Sequence, residues 1–477
     1  MKPPERGCGN MPDQPSIGPP PVVNGLAPRH RFLIVILIFL TALGVRLINW
    51  QSHRQEALAV QSSVALNYRH QARLIQANGI ASLADASSAT NNPDLLGHPP
   101  GYPILLSLIY RLGGESDIAT QLLQIVLDSL SVVVIVLIAF EFFPTVVGLM
   151  AGFMSAFAPQ FSWNSLTLLP DSLAALPILL SVYLIALACN RPAEPASVPV
   201  HLKRDRKDCL SYFAILAAGA LVGISCWLRA NALLLGPFLA LVLFFISKRS
   251  SRLRRALVLV CGVLLIISPI TIRNATVFGK FIPVSLGAGQ TLVEGIADYN
   301  TDGSLGLPRT DVELTRAEAE TYHRPDYANS LFTPDGPERD RARLARGLAV
   351  IRAHPFWFAG VMIRRAASML RLERTPLRLA PTNSGSGGLI QRPLRIMQRL
   401  FITACFLPMT LIGAGILVYR RQSQRLAILL AVPFYYFCTQ SALHTEYRYV
   451  LVIHYFLFVL SALAVYTIAG EARRLLR

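Results

Sequence analysis

Four charged residues stand where apolar runs begin or end. Asp171 heads one run after Leu-Leu-Pro, and Arg229 separates two runs in Cys-Trp-Leu-Arg-Ala-Asn. Arg273 follows a third run, and Arg448 opens the last. Charge at membrane depth is costly, so each is a functional candidate. Glu56, Asp94 and His98 fall on the same side of the membrane by the topology derived below. Acids and arginines gathered at one face suit a site that grips a phosphate and activates a hydroxyl: guanidinium makes strong bonds to phosphate, and a carboxylate takes a proton. Plainer readings stand beside this one. An arginine at a run's end also anchors a helix by snorkelling. Asp171 after Pro170 also caps its helix, and Asp128, deep in a run, also serves packing through a paired neighbour. The acids from Glu294 to Asp311 read as a solvated loop face. No CxxC or Cys/His cluster suggests zinc, and the acids are not at ligand spacing, so neither a metal nor a cofactor is expected.

Membrane-crossing helices must position these residues. Hydropathy marks ten apolar runs, at 32–49, 118–141, 145–161, 171–189, 211–228, 231–247, 256–272, 399–419, 426–442 and 449–468. Each holds about 17–24 residues, enough at 1.5 Å per residue to cross a hydrocarbon core of about 30 Å. Ten crossings put five basic clusters on one side: Lys2/Arg6/Arg29/Arg31, Lys203/Arg204/Arg206/Lys207, Lys248/Arg249/Arg252/Arg254/Arg255, Arg420/Arg421/Arg425 and Arg473/Arg474/Arg477. The positive-inside rule makes that side cytoplasmic, both termini included. Tyr102–Leu112 is too short to cross and reads as a re-entrant or interfacial helix. Counting it as a crossing would strand four basic clusters outside.

Two segments then lie outside. In 50–117, Val60, Val64, Tyr68, Ala72 and Ile75 recur at helical spacing and predict an amphipathic helix. The large loop 273–398 begins with Gly- and Asn/Asp-rich turn signals. Over Glu338–Arg374 it reads as a basic amphipathic helix broken at Pro355, with Leu344, Leu348 and Ile351 on one face and Trp357 and Phe358 at the membrane interface. Residues 1–31, rich in Pro and Gly, are expected to be a disordered cytoplasmic segment. The run from Phe32 lacks a cleavage site and reads as a retained anchor. The expected organisation is a transmembrane core over 32–272, the outer loop 273–398, and C-terminal helices with a cytoplasmic tail over 399–477.

Composition agrees. The 477 residues are 53% hydrophobic and only 15% charged, against roughly 25% charged in soluble chains. The net charge of +18 comes from 45 Lys and Arg against 27 Asp and Glu. Most of that excess sits in clusters between apolar runs, where topology explains it, so nucleic acid is not an expected partner. None of the seven cysteines falls in either long polar segment between runs, which excludes a disulfide framework there.

Seven blocks in order resemble bacterial membrane glycosyltransferases of family 39 in the GT-C superfamily, relatives of protein O-mannosyltransferases, lipid A aminoarabinose transferases and rhizobial galacturonosyltransferases. They are YRHQARLIQANG, HPPGYPILLSLIYRLGGESDIATQLLQ, LTLLPDSLAALPILL, GISCWLRANALLLGPFLAL, ISPITIRNATVFGKFIPVSLGAGQTLVEG, ERDRARLARGLAVIRAHPFWF and EYRYVLVIHYFLF. They span roughly 32–468. The resemblance implies an all-α polytopic GT-C-like fold in a bacterial cytoplasmic membrane. It implies a polyprenyl-phosphate sugar donor taken from membrane lipid, and a lipid, glycan or protein acceptor on the outer face. Cationic groups would hold the leaving phosphate: Arg229, Arg273 and Arg448, with His98 where some relatives have a lysine. Asp171 matches a second acidic position of the family, and Tyr68 and Tyr102 would line the site.

One departure matters. Relatives carry an aspartate four residues before the tyrosine matched by Tyr68, and here that residue is Val64. Asp171, Glu56 and Asp94 are the candidate replacement carboxylates. A degenerate member that binds a lipid-linked glycan without transferring it, and a transporter or flippase, are the competing readings. A transporter calls for repeated halves and sites near the midplane. The topology has a direct check: a reporter active only outside the cytoplasm gives signal when fused after Ser304 and none after Ser197, and the reverse pattern overturns the orientation.

Overall fold

The structure is a computed structural model that describes residues 28–84, 94–190, 200–333, 335–379 and 390–475. The expectation for 1–27 lies outside the described residues, as do the side chains of Asp94 and of the cluster Lys203 to Lys207.

The described residues form helices and turns with no strand. Helix α1 (Pro28–Leu58) leads to α2 (Ser62–Asn78) and α3 (Gly101–Gly113). Next come α4 (Asp117–Phe142), α5 (Thr145–Phe157), α6 (Asp171–Asn190) and α7 (Val200–Leu228). They are followed by α8 (Leu235–Ile246) and α9 (Arg252–Phe278). The large loop contains α10 (Ala288–Ala297), α11 (Asp311–Thr321), α12 (Gly336–Ala353) and α13 (Pro355–Met369). The chain closes with α14 (Thr403–Tyr419), α15 (Ser423–Thr439) and α16 (Leu451–Leu475).

By length and composition, six helices can cross a membrane: α1, α4, α6, α7, α9 and α16. A seventh is possible if the Gln391–Arg399 helix and α14, bent by 60°, count as one. The other expected runs fall into shorter helices. The run 145–161 is cut at Ala158, where Pro159 starts a separate helix to Asn164, because proline cannot supply the next helical N–H. The run 231–247 spends its first residues in a 3-10 turn, leaving twelve for α8. Helix α15 has 17 residues.

Side-chain contacts orient the bundle. Arg31 at the start of α1 lies over Phe140 at the end of α4, while Trp50 Nε1 donates to Gln121 near the other end of α4. These two helices are therefore antiparallel. Asn190, ending α6, donates to the Glu141 carbonyl; Arg425, opening α15, donates to the Phe142 carbonyl; and Arg255 of α9 reaches Ser211 of α7. The described arginines of these clusters thus share one end of the bundle, called here the basic end. Asp171, Arg229 and Arg448 lie at the opposite end.

Small residues set the closest approach. In Gly219 and Gly223 of α7 and Gly262 of α9, a Cβ would strike the facing helix; at Gly219 it would meet the Leu259 carbonyl oxygen and at Gly262 that of Leu216. Small residues four apart let membrane helices meet backbone to backbone. This contact fixes α7, whose last turn delivers Arg229.

Outside the bundle, α2 buries Tyr68, Ala72 and Ile75 as its spacing predicts, and α3 is a 13-residue helix that packs beside it. The large loop departs from expectation in three places. Gly287–Ala297, read as loop, is mostly the helix α10; its N-terminal amides at Gly289 and Gln290 donate to Asp340 of α12, a cap supplied from another element. Helix α12 turns Arg339 and Arg343 inward, both onto Glu318, and leaves Leu344 and Leu348 exposed. A carboxylate that satisfies two forked guanidiniums makes that charged side the buried one. Phe358 is buried in the loop's own apolar cluster, not at an interface.

Replacing Gly219 or Gly262 by leucine is expected to separate α7 from α9 and to lower the thermal stability of the detergent-solubilised protein. Leucine at Gly415, where a Cβ meets nothing within 4 Å, should be tolerated. Equal melting temperatures for all three variants would remove the close-packing argument.

Candidate active site

Three chain segments meet at the end opposite the basic one. Pro170 ends the preceding turn and Asp171 begins α6, so its carboxylate sits at a helix N-terminus. Helix α7 stops at Leu228, and Arg229 leaves it in an extended conformation. Ser225 Oγ, one turn earlier, donates to the Ala174 carbonyl at 3.0 Å and pins α7 to α6. Arg448 lies in the turn Tyr447–Val450 that enters α16.

The two arginines flank the aspartate. Arg229 Nη2 is 3.1 Å from Asp171 Oδ1, and Arg448 Nη1 is 3.9 Å from Oδ2. Asp171 is 6% exposed, as is Arg448. The Tyr449 ring lies 4.1 Å from the Arg229 guanidinium and 5.1 Å from that of Arg448. The alignment is loose: both Asp171 oxygens and Nη1 of Arg448 lack a well-directed hydrogen bond. The three side chains, with Asn231, Tyr436 and Tyr449, line a small cleft. Ala174, Ala175, Ile178, Leu451 and Val452 form its apolar side. Buried charge with unfilled hydrogen-bonding positions is a poor way to stabilise a fold and a good way to receive a polar ligand.

Other aromatic groups lie near these charges without lining the cleft. The rings of Tyr68 and His98 are 5.1 Å apart, as are those of Tyr68 and Tyr102. Tyr102 donates to Gln124, whose amide caps the Thr167 and Leu169 carbonyls just ahead of Asp171. The Tyr68 hydroxyl is buried without a partner, and burial pushes its pKa up to about 12. Burial, and then the charges of Arg229 and Arg448, hold His98 down at about 4, so its imidazole is neutral at neutral pH.

The other candidates lie elsewhere. Arg273 bonds the Leu83 carbonyl and Asn274 and does not line the cleft, so the expected convergence of three arginines reduces to two. Glu56 is exposed on α1 and pairs with His53 at 3.0 Å; none of its described contacts reaches Asp171, Arg229 or Arg448. Asp128 pairs with Arg46 at 2.6 Å inside the bundle. Val64 packs against the cluster around Tyr68 and Tyr102. Glu294, expected on a solvated face, is 8% exposed; burial and the neighbouring Asp311 push its pKa up to about 9. Among the described residues no three His, Cys, Asp or Glu side chains gather as metal ligands.

Sequence reading passed over Glu446. Both of its oxygens engage Arg448, at 2.8 and 2.9 Å, and Gln61 at the foot of α2 donates to it at 3.5 Å. The signal was present as an acid two residues before Arg448 in Glu-Tyr-Arg-Tyr.

Residues 97–272 match the family of dolichyl-phosphate-mannose-protein mannosyltransferases, a stretch that holds His98, Asp171 and Arg229. A comparison with curated proteins returns no match. Among solved structures, the oligosaccharyltransferase of Archaeoglobus fulgidus in its apo form aligns over 94% of this chain and 52% of its own, at 16% identity and TM-score 0.52. The same archaeal enzyme, AglB, with an inhibitory peptide and a dolichol-phosphate aligns over 94% and 51%, at 15% identity and TM-score 0.50. The chain shares the helical membrane fold of that archaeal enzyme. It spans about half the length of those archaeal chains. Looser overlap is found with ArnT from Cupriavidus metallidurans bound to undecaprenyl phosphate, over 80% of this chain and 69% of that one, at 16% identity and TM-score 0.30.

Asp171→Asn would leave Arg229 without its carboxylate and Arg448 with Glu446 alone. Removing one partner of a buried charge set costs about 3–5 kcal/mol. The variant should unfold at a clearly lower temperature than wild type, whereas exposed Glu56→Gln should change stability by less than about 0.5 kcal/mol. Matching melting curves would mean that Asp171 does not hold the arginines.

Proposed function

We propose that the protein transfers a sugar from a polyprenyl-phosphate donor to a hydroxyl acceptor at the outer face of a bacterial cytoplasmic membrane. The observation that carries this reading is the pair of buried guanidiniums, Arg229 and Arg448, flanking Asp171 in a cleft with one apolar wall. A donor whose tail lies among lipids could set its phosphate on the two arginines while its sugar faces the aromatic side near Tyr68 and His98. The matched family is named for dolichyl-phosphate-mannose, and AglB has been solved with dolichol-phosphate; a lipid phosphate donor is in keeping with both. The outer placement rests on the basic end being cytoplasmic, by the positive-inside rule.

In this reading the acceptor oxygen attacks the sugar's anomeric carbon from the face opposite the phosphate, and the bond from that carbon to the phosphate oxygen breaks with inversion. Polyprenyl phosphate is already a good leaving group, so the protein mainly positions the reactants and stabilises charge. Arg229 and Arg448 take up the negative charge that develops on the phosphate. Asp171 keeps two like charges close together before the donor arrives. His98, neutral, offers the phosphate or sugar a hydrogen bond. Val64, apolar and packed, favours one competing reading, a binder without transferase activity.

Binding of undecaprenyl phosphate to the purified protein in lipid nanodiscs tests the proposal. Arg229→Ala and Arg448→Ala should each weaken it about 10- to 100-fold, the loss of a charge-assisted contact of about 1.5–3 kcal/mol, and undecaprenol without phosphate should bind no better than to the variants. Wild-type affinity equal for phosphate and alcohol would refute the site.

A further inference from the structure

We infer that Glu446 is the group that takes the acceptor's proton, and that it is held on Arg448 until the donor's phosphate displaces it. The inference rests on the proposed transferase reading and assigns the acceptor-side base of that site.

Position comes first. Glu446 stands on Arg448, which lines the cleft, with Gln61, which precedes α2 and lies three residues before Val64, on its other side. A carboxylate from the α16 entrance therefore reaches the foot of the helix from which Val64 offers none. The Glu446 side chain is 30% exposed, against 1% for Asp171, so an acceptor hydroxyl can approach it. Its backbone is braced: the His444 amide donates to the Thr291 carbonyl at 2.7 Å, and Arg365 bonds the Ser441 carbonyl at 2.9 Å. The side chain can swing while its anchor stays fixed.

Charge comes second. In the structure the formal charges of Arg229, Arg448, Asp171 and Glu446 cancel. A donor phosphodiester adds one negative charge and, in this reading, takes the Nε/Nη2 edge of Arg448, which fits a phosphate as well as it fits a carboxylate. Glu446 and the phosphate compete for that edge, and the displaced carboxylate is left beside Gln61. Transfer then balances. The acceptor oxygen bonds to the anomeric carbon, the electron pair of the breaking bond goes to the phosphate oxygen, and the acceptor proton goes to Glu446. The phosphate gains one negative charge as Glu446 loses one, so the net charge of the site does not change. Proton removal of this kind is typically worth about 10²–10⁴-fold in rate.

Glu446→Gln, made in the full-length protein in nanodiscs, separates this from a structural role. With the competing charge gone, undecaprenyl phosphate should bind several-fold more tightly than to wild type, while sugar transfer from an undecaprenyl-phosphate-linked donor should fall by about 10²-fold or more. Glu446→Asp, which keeps the charge, should retain the larger part of transfer. Weaker binding by Glu446→Gln would mean that Glu446 only builds the Arg448 site, and full transfer by that variant would mean that it is not the base; either result overturns the inference and leaves the donor site standing. Absence of undecaprenyl phosphate binding in wild type and variant alike would overturn the donor site, and the inference with it.

Discussion

Two positive charges held around one buried carboxylate are the constraint on which the rest of this structure depends. Arg229 and Arg448 repel each other; Asp171 lies between them, and Glu446 holds Arg448 from its other edge. Each residue comes from the end of a different helix or helix entrance, so the triad exists only while α6, α7 and α16 keep their relative depth. The glycine contact between α7 and α9 and the Ser225 bond to α6 serve that end. So does the ladder from Tyr102 through Gln124 to the carbonyls just ahead of Asp171.

Low polarity around the cleft gives the charges their strength. Tyr68, Tyr102 and Leu173 share an apolar cluster against the mouth of α6, and Tyr449 stacks beside both guanidiniums. Charges shielded from water in this way interact more strongly than at an open surface. The same enclosure keeps His98 neutral, because a third cation there would be uncompensated.

The large loop bears on the site through its anchorage. Its helix α10 is capped by Asp340 of α12, and α12 is gripped by Glu318 of α11 through two arginines. Arg365 of α13 joins the Gly295 and Ser441 carbonyls, tying α10 to the segment that leads to Glu446 and Arg448. Glu446 is thus held on a turn fixed from both the loop and the bundle.

The sequence alone determined that the chain is a polytopic helical membrane protein with its basic clusters at one end, because hydrophobicity and charge act residue by residue along a helix. It also marked Asp171, Arg229 and Arg448, since a charge next to an apolar run is visible without knowing its partner. Tertiary structure decided which charges meet. Arg273 looked equivalent to Arg229 by position, yet α9 carries it to the Leu83 carbonyl and away from the cleft. Glu446 was legible only as an acid near Arg448; its place beside Gln61 depends on how α2 folds back over the bundle. The burial of Glu294 and the inward turn of Arg339 and Arg343 were equally hidden, because polar residues go inside only where a distant partner compensates them, and no local pattern records that partner. How the apolar runs divide into helices was hidden for a related reason. Hydropathy counts apolar residues, whereas Pro159 and the turn at Ala230–Ala232 shorten the helices those residues can form.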